Sequence, residues 1–311
     1  MELFTSTLNQ TAFLFALIII GFVLGKCKFI PENSATVLSK LENMVFVPGL
    51  VMGTFINNFT VEKIASAGRI MLAGFVLIFI MIPIAILISK CLSRDKYEQN
   101  IYTYGLAFSN FGFMGNAVVK ALFPEIFLEY IIFTIPLWIM IYLWAVPVLL
   151  ISDSGEKQTL KKRLKSFVNP MFIAMIIGMI IGILGIKLPQ WASSVITVSG
   201  DCMSPVAMLL TGITVSSIDL KKTFSTVRVY IASIIRLVVI PLAFLAVAHF
   251  VEFERTIYIC SVCALAMPLG LNTIVVPKAY GKDTSEAAGM AIISHLLSCI
   301  AIPAIFMMMN L

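Results

Sequence analysis

The chain has 311 residues, 60% of them hydrophobic and only 12% charged, with a formal net charge of +6. A water-soluble fold cannot bury that much apolar surface, because charged residues ordinarily supply about a quarter of a soluble chain. The basic excess lies in short loops between apolar runs, with no patch of interleaved aromatic and basic residues, which argues for a membrane topology signal and against nucleic acid as a partner.

A spanning helix needs about 20 predominantly apolar residues. In chain order, ten stretches qualify: 11–30, 36–57, 69–92, 101–122, 127–151, 168–187, 191–217, 227–251, 256–278 and 287–309. The residues before the first stretch carry no basic segment, and no small-residue cleavage site follows it, so it reads as a retained span. The second and seventh contain Pro48 and Pro205, taken as helix breaks because proline removes a helix hydrogen bond. The fourth carries Ser109, Asn110, Gly112, Gly115 and Asn116 at its centre, and the ninth carries Pro268, Gly270, Asn272 and Thr273. Both are expected to unwind, and non-helical backbone inside a membrane persists only where protein or a water-filled cavity satisfies it. The six cysteines lie in or beside apolar runs, and no histidine–acid motif or phosphate-binding loop is present, so no metal, cofactor or ATP site is expected.

Sixteen of the 22 Lys and Arg residues fall in alternate loops beginning with the first, against five in the other loops. That asymmetry puts both termini outside and the basic 152–166 segment in the cytoplasm. Residues also recur at a nearly fixed separation: Gly21 with Gly178, Gly25 with Gly182, Pro48 with Pro205 and Thr54 with Thr211 at 157 positions, and Gly112 with Gly270 at 158. Residues 1–151 and 167–311 thus form two five-span units joined by the linker 152–166. An odd number of spans turns the second unit upside-down, which is the inverted-repeat pattern of secondary transporters.

Matching interruptions in both halves of such a repeat point to the binding site. An unwound helix exposes free N–H groups, and a half-helix N-terminus carries partial positive charge, so Asn110, Gly112, Asn116, Pro268, Gly270, Asn272 and Thr273 form a candidate site for an anion. The plainer alternative is that these Asn and Gly residues only fasten helices together. Asp201 and Ser204, just before Pro205, read as coupling or gating groups or as part of the outer mouth. Glu42 reads as a residue of the cytoplasmic boundary. Arg236 in the eighth span pairs with an acid, faces a cavity or snorkels. His295 in the tenth carries protons or packs through hydrogen bonds.

Several stretches resemble the auxin efflux carrier family, in particular its bacterial malate permease-like members. They are Phe46-Val47-Pro48-Gly49-Leu50, the FSNFGFMG of the fourth span, Asn169-Pro170 with the following GIKLP, SPVAMLLTG in the seventh span, and MPLGLN with AYGKD around the ninth. The resemblance covers nearly the whole chain. It implies an all-α membrane fold of ten helices in two inverted repeats, with broken helices four and nine crossing at the midplane. It also implies plasma-membrane transport of a small organic anion such as malate or an auxin-like acid, held at that crossing. Family members often have proline shortly after the Gly-Phe-Met-Gly of the fourth span; here Asn116-Ala117 stands there. The alternatives are a sodium-coupled symporter of the bile-acid transporter type and an anion channel. The remaining partners are a coupling proton or sodium ion, membrane lipid, and a second copy of the chain in a homodimer.

Overall fold

The structure is a computed structural model that describes residues 2–151, 159–165, 167–217 and 226–309. These residues are helical, with one isolated β-bridge and no strand. Seven helices are long and apolar enough to cross a membrane: α1 (Glu2–Lys26), α2 (Ser34–Asn58), α3 (Lys63–Leu92), α6 (Pro124–Leu150), α9 (Gln190–Ser216), α10 (Val227–Phe250) and α13 (Ser285–Met307). Three shorter apolar helices join them: α5 (Phe111–Leu122), α8 (Pro170–Leu184) and α11 (Arg255–Ala266). Two more, α4 (Lys96–Ala107) and α12 (Asn272–Ala279), precede and follow the breaks in the chain, and α7 (Leu160–Lys165) lies in the expected linker. Residues 152–158 and 166 of that linker, and the loop lysines Lys221 and Lys222, lie outside the described residues.

Local chemistry sets several boundaries. The α8 helix opens where the Asn169 side chain accepts the Phe172 N–H at 3.1 Å, with Pro170 next, and it closes on left-handed Gly185 at φ 61°. These are the caps expected of an Asn-Pro start and a Gly stop. They also make it 15 residues long rather than the 20 read from the sequence.

Two prolines behave differently from expectation. Pro48 does not sever α2: the helix widens into a π-turn at Glu42–Phe46 and continues from Val47 through the proline. The same arrangement precedes Pro241, after the π-turn Ile235–Val239, and encloses Pro147 in the π-segment Ile141–Leu150. A π-turn shifts the hydrogen-bond register, so the bond that proline cannot make is lost without ending the helix. Pro205 lies inside α9, which runs unbroken from Gln190 to Ser216. Packing of α9 against α1 and α2 holds it there, as neighbouring helices commonly do for prolines in spans.

The packing follows polarity. The outward faces of α1, α3 and α8 carry exposed Ile19, Ile20, Leu72, Phe79, Leu87 and Ile180, the expected composition of a surface turned to lipid. By contrast, the comparatively polar helix α4 is buried from Asn100 to Ala107, and α11 is buried from Ile259 to Ala266. The interrupted segments therefore form the core, and the long helices wrap them. Close helix approach depends on small residues. A Cβ at Gly21 would sit 2.2 Å from the Leu209 carbonyl oxygen, and one at Gly178 would sit 2.9 Å from that of Met52.

Candidate functional site

The two interrupted segments cross. After α4 ends at Ala107, the chain is extended through Phe108 and re-enters helix at Phe111 through the π-turn Phe111–Gly115. After α11 ends at Ala266, residues 267–271 are non-helical, and α12 starts at Asn272. At the crossing, Ser109 and Leu269 form an antiparallel bridge, and the Asn110 N–H donates to the Pro268 carbonyl at 2.7 Å. A Cβ on Gly270 would stand 3.3 Å from the Ser109 carbonyl oxygen, so a larger residue would press on the bridge.

Arg236 supports this junction. Its side chain is 1% exposed and donates three hydrogen bonds to carbonyls: Leu106 at 3.0 Å, Ala264 at 3.1 Å and Met267 at 3.2 Å. Those carbonyls belong to the C-terminal ends of α4 and α11, where helices leave oxygens unsatisfied and carry partial negative charge. One guanidinium thus ties the ends of both half-helices together. Its charge is met by carbonyl dipoles, and among the described residues no carboxylate pairs with it. The Ser109 hydroxyl adds a 2.6 Å bond to the Ala264 carbonyl.

The α13 helix backs the crossing. The Ser294 hydroxyl accepts the Leu269 N–H at 3.1 Å. His295 Nδ1 lies 2.8 Å from the Ala291 carbonyl, which requires it to carry the proton, and Nε2 then accepts from the Asn110 amide at 3.4 Å. The Asn272 amide donates to the Tyr104 hydroxyl at 3.1 Å, and the Thr273 hydroxyl donates to the Gly270 carbonyl at 2.9 Å. Gly112 leaves room for Trp138, whose ring would be 2.5 Å from a Cβ there and which packs edge-on against Phe111.

The N-terminal ends of the second half-helices are treated differently from these C-terminal ends. No side chain caps the π-turn opening α5 at Asn110 or the start of α12 at Leu271. Each of these half-helices leads into its own cavity. Asn116 and Lys120 of α5 share a cleft of about 230 Å³ with Gln10, Asp201, Ser204 and Pro205, and the Lys120 ammonium pairs with Asp201 at 2.7 Å across it. Asp201 is 58% exposed, so it lies at a mouth. Val275 and Lys278 of α12 line a vestibule of about 980 Å³, whose walls also carry Lys26, Lys28, Lys40 and Thr214. The Lys278 ammonium donates to the Ser217 hydroxyl at 2.9 Å, while the Thr214 hydroxyl is buried with no hydrogen-bond partner among the described residues.

The sequence of residues 6–306 matches the family described as membrane transport protein. The chain belongs to this family, the auxin efflux carrier and membrane transport family. Comparison with curated proteins returns no match. The transporter is thus a multi-pass membrane protein of a family that moves solutes.

Of the residues singled out in the sequence, Asn110, Pro268, Gly270 and His295 meet at the crossing, and Asn272 and Thr273 begin the half-helix that leaves it. Asn116, Asp201, Ser204 and Pro205 share the smaller cleft instead. Arg236 reaches the crossing through backbone carbonyls. Tyr104 and Trp138 escaped notice because a lone hydroxyl or indole in an apolar run has no spacing signal. Lys120 and Lys278 were legible as loop charges only, although they lie 158 positions apart, as Gly112 and Gly270 do.

Proposed function

We propose that the transporter is a secondary carrier of a small organic anion, a carboxylate such as malate or an auxin-like acid, working by alternating access in the plasma membrane. The observation that carries this reading is the polarity of the crossing. The C-terminal ends of α4 and α11 are satisfied by Arg236, whereas the uncapped N-terminal ends of α5 and α12 remain for a guest. Free N–H groups and the positive end of the helix dipole favour a carboxylate there, and the amides of Asn110 and Asn272 can add hydrogen bonds to it, with Asn116 further along α5.

The ten-span, two-repeat organisation belongs to the same reading. Residues 1–151 form one unit, 152–166 the linker and 167–311 the second, inverted unit. Equivalent contacts support it. Gly21 meets Leu209 and Gly178 meets Met52, so donor and recipient positions both differ by 157. Arg69 pairs with Glu254 as Arg228 pairs with Glu98, and Glu129 and Glu286 each accept a basic partner, Lys63 and Arg228. Glu129 and Glu286 again lie 157 positions apart.

The lysines of the large vestibule all come from loops that the charge count assigns to the cytoplasm, so this conformation opens inward and offers an anion a basic approach. On the opposite side, the Lys120–Asp201 pair bridges α5 and α9 as a gate, beside Ser204. The test is counterflow of radiolabelled L-malate and other small carboxylates in proteoliposomes. Saturable exchange that Asn272→Ala weakens is the expected result. Flux without exchange would make the protein a channel, and no flux with any carboxylate would overturn the anion reading.

A further inference from the structure

We infer that Glu42 is a proton-binding site of the carrier, filled and emptied through the inward vestibule. Its side chain is 0% exposed, and neither carboxylate oxygen has a hydrogen-bond partner among the described residues. It sits at the first position of the π-turn Glu42–Phe46, whose next three residues, Asn43, Met44 and Val45, face outward. The π-turn therefore aims one acid inward from an otherwise lipid-facing stretch.

An ionised carboxylate with no donor in such a place is strongly disfavoured, while its protonated form is neutral and can be buried. Among the described residues, the elements packed against it supply no compensating cation. The π-turn packs against the rest of α2, against α8 and against α9. The rest of α2 carries one charged side chain, Lys40, which is exposed at the vestibule wall. The α8 helix carries no titratable side chain. The α9 helix carries Asp201, already paired with Lys120, and Cys202. No cluster of three His, Cys, Asp or Glu side chains exists among the described residues, which argues against a transition metal here, and a lone carboxyl is fully neutralised by one proton.

A route is present. Ala35 and Ser39 line the vestibule, and Glu42 follows Ser39 by three residues, one turn further along the same helix face. Water entering past Ser39 would take the proton, leaving the carboxylate; in the opposite step a hydronium ion returns it and the O–H bond re-forms. Coupling of this step to anion movement rests on the carrier reading, but occupancy of the site by a proton does not.

The experiment treats the full-length wild-type protein in proteoliposomes with dicyclohexylcarbodiimide, which attacks carboxyl groups in their protonated form, and maps the adducts by mass spectrometry. Near neutral pH, Glu42 should carry about tenfold or more label than exposed Glu32, with the label falling by about tenfold per pH unit once Glu42 titrates. Absence of label at Glu42, or label independent of pH, would overturn the proposal. Protection by sodium but not by choline would also overturn it, by making the site one for a metal cation. Glu42→Gln, which mimics the protonated form, should keep L-malate counterflow and lose its pH dependence; an unchanged pH profile would remove Glu42 from coupling. Absence of counterflow in the wild type would strike the carrier reading while leaving the labelling result to stand on its own.

Discussion

Replacing Arg236 with methionine removes three hydrogen bonds from one buried group, at 3.0, 3.1 and 3.2 Å. A bond to a charged donor contributes about 1.5–3 kcal/mol net, so a naive total is roughly 5–9 kcal/mol. Two effects pull against that total. The three bonds share one guanidinium and are not additive, and methionine no longer has to bury a charge. What remains is the cost of leaving the Leu106, Ala264 and Met267 carbonyls short of partners in an interior without water, for a net destabilisation of about 3–5 kcal/mol. Arg236→Met should therefore lower the apparent melting temperature in detergent by on the order of 10 °C and abolish counterflow, because the ends of α4 and α11 are no longer held together. Arg236→Lys should fall between the two, since an ammonium cannot present the same fork to three carbonyls. A methionine variant that melts with the wild type would refute the claim that this side chain clamps the crossing.

Asn272→Ala loses its bond to the Tyr104 hydroxyl, a cost of about 1 kcal/mol to the fold, while carboxylate affinity should fall about tenfold or more; thermal-shift titration separates the two effects. Gly21→Val and Gly178→Val each force side-chain atoms into a neighbouring helix backbone and should cost several kcal/mol, seen as loss of monodisperse protein in size-exclusion chromatography. Neutralising Lys26, Lys28 and Lys40 together should raise the KM of inward-side transport and flatten its dependence on ionic strength, as expected where charge steers an anion into a cleft. Asp201→Asn breaks an exposed pair that contributes at most about 1 kcal/mol, so stability should hold, whereas a cysteine placed at Asn116 should become more reactive to impermeant reagents from outside.

The sequence made the breaks legible because it violates local rules there. Two Asn and two Gly in seven residues, and a proline before Gly270, are poor helix formers in the middle of apolar runs. What joins the breaks was not legible. The Asn110 to Pro268 bond and the Ser109–Leu269 bridge are backbone contacts between segments about 160 positions apart, and backbone pairing leaves no residue-type signal. Arg236 was conspicuous as a charge in a span, but three carbonyls as its partners have no sequence signature. Pro48 and Pro205 show the converse error. Proline predicts a missing hydrogen bond correctly, yet whether a helix ends there depends on the neighbours: a π-turn absorbed the first, and packing against α1 and α2 absorbed the second.

Glu42 and Asp201 show why an acid's position along a span is a poor guide to its work. Glu42 lies near the start of its expected span, and Asp201 lies well inside its own. In the fold Asp201 is exposed and already neutralised by Lys120, whereas Glu42 is fully enclosed and bonded to nothing described. The difference arises from helix phase. Within a π-turn the side chains advance by a smaller angle per residue than in an α-helix, so the turn at Glu42–Phe46 offsets the faces of α2 before and after it. That offset lets Glu42 point inward while Val47, Leu50 and Val51 still pack on the core. Rewinding α2 to a regular helix would rotate one of these two faces out of place. A deletion of Val45, which removes the extra residue of the π-turn, should therefore either expose the acid or unseat the Leu50 face. Carbodiimide labelling and melting temperature read the two outcomes separately, and a deletion that changed neither would show that the π-turn does not set the position of Glu42.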